Sequence, residues 1–142
     1  MPKININKLI LGTAQIERNY GISNIINKNQ KKSAYKTLET AFKHGIKYID
    51  TAPGYKSEKI IGKFISAHGL SKEMNIFTKI PTFSNNENFK KFVIKSIENS
   101  LENLKSDIHT LFLHNTKDID LFKKNIIFFK KLKKIFPIKH LG

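Results

Sequence analysis

An α/β fold assembled from βα units is what this 142-residue sequence predicts. Three observations carry the prediction. Short, almost unbroken apolar runs recur along the chain, longer amphipathic runs separate them, and the units begin near residues 8, 46, 75, 110 and 138. Unbroken apolarity is the mark of strands covered on both faces, which points to a parallel sheet wrapped by helices. Two architectures satisfy this pattern: an open doubly wound sheet, or part of a (β/α)8 barrel.

The strands are expected at "KLILG" (8–12), "IKYID" (46–50), "NIFTKI" (75–80) and "TLFLH" (110–114), and "PIKHLG" reads as a fifth that opens and stops after a residue or two. In the first helix, "SAYKTLETAFKHG", Ala34, Leu38, Ala41 and Phe42 share a face and Gly45 is placed as the stop. "SEKIIGKFISAHG" repeats the device, with Ile60, Ile61, Phe64 and Ile65 inward and Gly69 at the end. The third helix is expected to begin at the S-x-x-E spacing of Ser84 and Glu87, a capping box, followed by Phe89, Val93, Ile97, Leu101 and Leu104 at helical steps. A single fourth helix is expected from about Asp118 to Phe136, stopped by Pro137.

Composition narrows the function classes. No apolar run approaches the ~20 residues that span a bilayer, and the three-residue apolar core of "MPKININKLILG" is too short for a secretory signal, so a cytoplasmic chain is expected. The absence of cysteine excludes disulfides, thiol nucleophiles and thiolate metal sites. The formal charge of +15 invites a nucleic-acid reading, but 25 of the 26 basic residues are Lys and only Arg18 carries the guanidinium fork that base-edge and phosphate recognition favour. Spacing such as "FKKNIIFFKKLKK" sets lysines on solvated faces beside apolar stripes, so no specific nucleic acid and no membrane partner is expected.

The chemistry gathers where strands finish. Asp50 closes the second, Lys79 sits late in the third, His114 closes the fourth, and Tyr55 follows the Pro53-Gly54 turn. In a parallel barrel all strand C-termini open onto one face, the face of active sites. A phenol with a pKa near ~10 is a poor proton donor at neutrality unless a cation stabilises the phenolate. Lys79 can supply that cation, Asp50 can orient Lys79, and His114 can hold a carbonyl oxygen against the Tyr55 hydroxyl. Asp50, Glu58 and His114 lack the spacing of a metal motif, and no metal is expected.

The sequence also carries a resemblance. "GTAQ" after the first strand, "GIKYIDTAPGYKSEKIIG", "IFTKI" and "SLENLKSDIHTLFLHN" resemble, in order and spacing, the successive signatures of the aldo-keto reductase superfamily, from about residue 8 to 142. The D-T-A-x-x-Y-x-S-E-x-x-x-G block is the most specific, and "NYGISN" (19–24) with the L-G-T-A-Q start is similar to a bacterial branch. The resemblance implies the N-terminal part of a (β/α)8 TIM barrel, about four βα units and the start of a fifth strand, that is, a partial NADP-dependent oxidoreductase domain over 1–142 truncated at its C-terminus. It places the family's catalytic tetrad on Asp50, Tyr55, Lys79 and His114, with Tyr55 the general acid and Tyr55 and His114 meeting a small carbonyl substrate. It sets Gly12, Thr13 and Asp50 near the nicotinamide end of NADPH. Most of the cofactor site belongs, by the same resemblance, to later strands outside this sequence, so the chain alone is expected to be inactive and to self-associate through exposed edges. Two other readings stand beside it: a Schiff-base lyase using Lys79, and a non-catalytic remnant or half-barrel that needs a partner.

Overall fold

The computed structural model describes residues 6–16, 30–83 and 88–142. Five strands, β1 (Ile10–Gly12), β2 (Tyr48–Asp50), β3 (Asn75–Ile80), β4 (Ile108–Leu113) and β5 (Ile138–Leu141), form one sheet in the order β1-β2-β3-β4-β5. Every neighbouring pair is parallel. A doubly wound sheet reverses its strand order at a switch point. This sheet does not reverse, and of the two architectures the repeat allows, the strand order is that of a barrel wall.

The helices α1 (Gln30–Lys43), α2 (Glu58–His68), α3 (Phe89–Leu104), α4 (Ile119–Lys124) and α5 (Ile126–Ile135) alternate with the strands. α2 packs between α1 and α3. Beneath α1 and α2, Leu38, Ile49, Ile61, Phe64, Ile65 and Ile76 form one buried cluster; beneath α3 and α5, Ile80, Val93, Ile97, Ile108, Phe129 and Leu132 form a second. The apolar stripes read in the sequence for these helices are therefore the faces that cover the sheet. Gly45 and Gly69 follow α1 and α2 with φ of 83° and 65°, the left-handed region that permits glycine at low cost.

Four expectations need correction or fall elsewhere. The fourth helix is two. At Asn125 the backbone leaves helical geometry (φ −113°, ψ 21°) while its side-chain Nδ2 donates to the Leu121 carbonyl, the local competition that makes Asn a weak helix interior. The fourth strand starts at Ile108, not Thr110, and ends at Leu113, so His114 stands one residue past it. Its early part was masked by the polar "SDIH", and His109 is an extra residue in the register: Ile76 faces Ile108, yet Phe77 faces Thr110. The fifth strand runs four residues because β4 offers it a partner, with Ile138 opposite Ile108 and Thr110 opposite His140. Ser84, Glu87 and the "NYGISN" segment lie outside the described residues; Asn88 caps α3, its side chain accepting from the Lys91 amide at 3.1 Å. The lysines of α4 and α5 point to solvent beside buried Phe129 and Leu132, as the spacing predicts.

Candidate active site

Strand periodicity selects the site. Along β3, Ile76, Thr78 and Ile80 are buried under the helices, which leaves Phe77 and Lys79 on the opposite face. In β2 the buried residue is Ile49, so Tyr48 and Asp50 share that opposite face with them. Parallel register sets Asp50 beside Phe77 and Gly12 beside Asp50. Asp50 and Lys79 thus emerge at neighbouring strand ends.

They meet there. Lys79 Nζ donates to Asp50 Oδ1 at 2.7 Å and to the Thr51 carbonyl at 2.9 Å. The Lys79 side chain is 16% exposed and that of Asp50 34%, so this ion pair is only partly screened by water. The turn Pro53–Tyr55 begins directly after the strand and returns Tyr55 over the lysine, with Nζ 4.9 Å from the ring centroid. Lys56 closes the turn at φ 62°, and its amide donates to the Pro53 carbonyl. His114 extends the ladder through its amide, which donates to the Ile80 carbonyl at 3.0 Å, and its imidazole stands 5.8 Å from the Tyr55 ring in an edge arrangement. Asp50, Tyr55, Lys79 and His114 therefore converge at one end of the sheet.

Thr13 lies beneath this group rather than on its surface. It is fully buried, and both its amide and its hydroxyl donate to the Asp50 carbonyl. Gly12 faces open space: a Cβ built there meets nothing within 4 Å. Glu58, weighed in the sequence as a metal ligand, is buried and accepts a hydrogen bond from the Thr78 hydroxyl at 2.8 Å. Among the described residues no three His, Asp or Glu side chains come together in a way that could hold a metal ion.

Sequence reading missed the hydroxyls below the site. Ser57 Oγ lies 2.9 Å from both Thr13 Oγ1 and Thr51 Oγ1, and all three residues are fully buried. A Ser or Thr reads the same in a sequence whether it is buried or solvated, so only the place of Thr51 and Ser57 in the D-T-A-x-x-Y-x-S-E block hinted at them, while Thr13 was named as a cofactor residue and not as their partner. A groove of about 820 Å³ lies elsewhere, between the turn after β2 and α3, and is lined by Lys56, Lys59, Phe92 and Lys95 among others. None of the four converging residues lines it. Volume and chemistry thus separate, and the convergence of unlike ionisable groups is the stronger mark of a reactive site.

Comparison with known proteins agrees with the fold. The model of the Aldo/keto reductase family matches residues 8–142. The chain is 33% identical over 90 residues to the aldo-keto reductase YhdN of Bacillus subtilis, covering 58% of this chain and 27% of that protein. It is 28% identical over 122 residues to the glyoxal reductase of the same organism, covering 86% and 42%. Among solved structures, PA4992 of Pseudomonas aeruginosa superposes with a TM-score of 0.75 at 25% identity, over 94% of this chain and 53% of that one. An aldo/keto reductase from Klebsiella pneumoniae, solved with NADP and acetate, shares the fold at a TM-score of 0.71 and 21% identity, over 94% and 44%. The chain spans less than half the length of both curated relatives and about half that of the PA4992 structure. With a match from residue 8 to the last residue, on a parallel sheet of barrel order, this chain belongs to the aldo/keto reductase family.

Proposed function

We propose that residues 1–142 are the N-terminal part of a (β/α)8 reductase that reduces a small carbonyl compound, with Tyr55 as the acid. The observation that carries this reading is the placement of Lys79 Nζ between Asp50 Oδ1 and the Thr51 carbonyl, 4.9 Å from the Tyr55 ring centroid, with the His114 imidazole 5.8 Å from the same ring in an edge arrangement. His114 orients the carbonyl oxygen, and the Tyr55 hydroxyl donates its proton to that oxygen as the carbon is reduced. The resulting phenolate rests beside the Lys79 cation, which Asp50 holds in place, until solvent reprotonates it. NADPH supplies the hydride when bound. The open space at Gly12, next to Asp50 across the sheet, suits the nicotinamide end. Thr13 contributes by fixing the Asp50 backbone, since its hydroxyl is turned inward.

The lyase reading is less favoured. A Schiff base needs the Lys79 nitrogen lone pair aimed at a carbonyl carbon, and Nζ is committed as a donor to two protein oxygens. Most cofactor contacts fall to loops after later strands, provided by a longer chain or by a complementary half, which would also cover the Tyr48, Phe77 and Phe112 rings and the edge strands. The isolated 142 residues are then inactive and prone to self-association, and the working protein acts in the cytoplasm. No helix among the described residues is long and apolar enough to cross a membrane.

The test is NADPH oxidation with an aromatic aldehyde, followed at 340 nm, for the purified chain and for the protein isolated from its own cells at its native mass. The chain alone is expected to be silent and the native species active. Turnover by the chain alone would refute the need for the rest of the barrel. Borohydride trapping of substrate on Lys79, without any need for NADPH, would replace the reductase by the lyase.

A further inference from the structure

Thr13 fixes the Asp50 backbone, but proton delivery leaves the buried hydroxyls of Ser57 and Thr51 without a role, and the hydrogen bonds among the three have only one consistent direction. The Asp50 carbonyl can only accept, so the single hydroxyl proton of Thr13 goes to it at 2.8 Å. Thr13 Oγ1 is then the acceptor at 2.9 Å from Ser57 Oγ, and Ser57 donates. Having given its proton, Ser57 accepts from Thr51 Oγ1, also at 2.9 Å. The chain runs from Thr51 to Ser57 to Thr13 to the Asp50 carbonyl, in a place where all three residues are fully buried.

Both ends of that chain hold the residues that hold Lys79. Asp50 and Thr51 supply its two acceptors. The Asp50 carbonyl is fixed by the amide and hydroxyl of Thr13, and the Thr51 amide by the Phe77 carbonyl at 2.8 Å. Ser57 adds the third side, tying Thr51 and Thr13 to the segment two residues after Tyr55. Ser57 also stands immediately before α2, where a serine hydroxyl ordinarily accepts from an amide of the first helical turn. Its side chain makes no such bond. The hydroxyl has been diverted from capping the helix to joining two strand ends.

We propose that Ser57 is a positioning residue: through the Thr51–Ser57–Thr13 hydroxyl chain it keeps the Lys79 ammonium seated between Asp50 and Thr51 and within reach of Tyr55. The proposal rests on the reading that Lys79 and Tyr55 form the proton-delivery unit.

The test is the 15N–1H ammonium resonance of Lys79 in the native-mass protein, assigned by its loss in Lys79→Met. An ammonium with two fixed protein acceptors exchanges its protons slowly enough to be seen. Ser57→Ala and Thr51→Val are expected to speed that exchange on the order of tenfold, the factor one lost hydrogen bond carries, with far-UV circular dichroism unchanged. Thr51→Ser, which keeps the hydroxyl, is expected to preserve the signal. Should Ser57→Ala fail to fold, the near-isosteric pair Thr51→Val and Thr51→Ser decides the matter. A signal retained in Thr51→Val, lost equally in Thr51→Ser, or absent from the unsubstituted protein would overturn the proposal. The measurement needs neither cofactor nor carbonyl. Loss of the signal in the variants, alongside a native protein that reduces nothing, would sink the reductase reading and leave the positioning role standing.

Discussion

Gly62 gives a prediction whose sign separates two physical effects. It sits inside α2, where replacement by alanine should by helix propensity alone stabilise the protein by about 1 kcal/mol. The structure argues the opposite. A Cβ at Gly62 would overlap the Asn103 carbonyl oxygen and crowd the Leu104 carbonyl carbon at 2.9 Å. These are backbone atoms of the last turn of α3, so relief requires one helix to move off the other and not merely a side chain to turn. Overpacking of this kind costs about 1–3 kcal/mol, and the backbone obstacle places it at the upper end. The net loss is about 1–2 kcal/mol. For a chain of this length that lowers Tm by roughly 3–7 °C. Thermal unfolding followed by circular dichroism, with exposed Ser66→Ala in the same helix as the reference, measures it. A Tm for Gly62→Ala at or above that of the parent would refute the close approach of α2 to α3.

Three further outcomes are expected. Asp50→Asn removes the charged acceptor of a partly exposed pair, and urea unfolding should show a loss of about 1–2 kcal/mol; an unchanged midpoint would mean that the 2.7 Å contact does not hold Lys79. Asn88→Ala deletes the cap of α3 and should cost about 1 kcal/mol, read by the same assay; no change would deny that the helix starts at Phe89. Burial, helped by Lys139 and His140, holds the His109 imidazole below its ordinary range. The native state then binds fewer protons than the unfolded chain, so stability is complete above about pH 6.5 and is lost as pH falls through the lowered native value. His109→Gln should flatten that acid limb of the Tm–pH curve, and an unaltered limb would place the cause elsewhere.

The legibility of this fold in its sequence follows what each signal depends on. Ile60, Ile61, Phe64 and Ile65 were readable because helical periodicity and burial on one face are the same fact. The parallel direction of the strands was readable in their unbroken apolarity; their order was not readable from the βα repeat, which serves open and closed sheets alike, and only the resemblance named the barrel whose strand order the pairing of β1 through β5 displays. Local competition hid the break at Asn125: the apolar steps continue through it, and only a side chain bonding to Leu121 reveals the interruption. In the candidate site, Asp50, Lys79 and His114 announced themselves as ionisable groups ending apolar runs. Ser57 and Thr51 did not, because the value of a buried hydroxyl lies in the partner opposite it, and Thr13 is 44 residues from Ser57 along the chain. Thr13 was expected near the nicotinamide end of the cofactor, and the bond its hydroxyl makes to the Asp50 carbonyl was not legible from that expectation.

In the proposed reaction Tyr55, seated by Lys79 and flanked by His114, gives the proton that completes carbonyl reduction. The most direct measurement is kcat/KM for NADPH-dependent reduction of an aromatic aldehyde by the native-mass protein and its Tyr55→Phe variant, with NADPH binding checked by fluorescence. Loss of the acid should reduce kcat/KM by about 10²–10⁴-fold while NADPH still binds. A Tyr55→Phe protein that reduces the aldehyde at the parent rate would contradict the account.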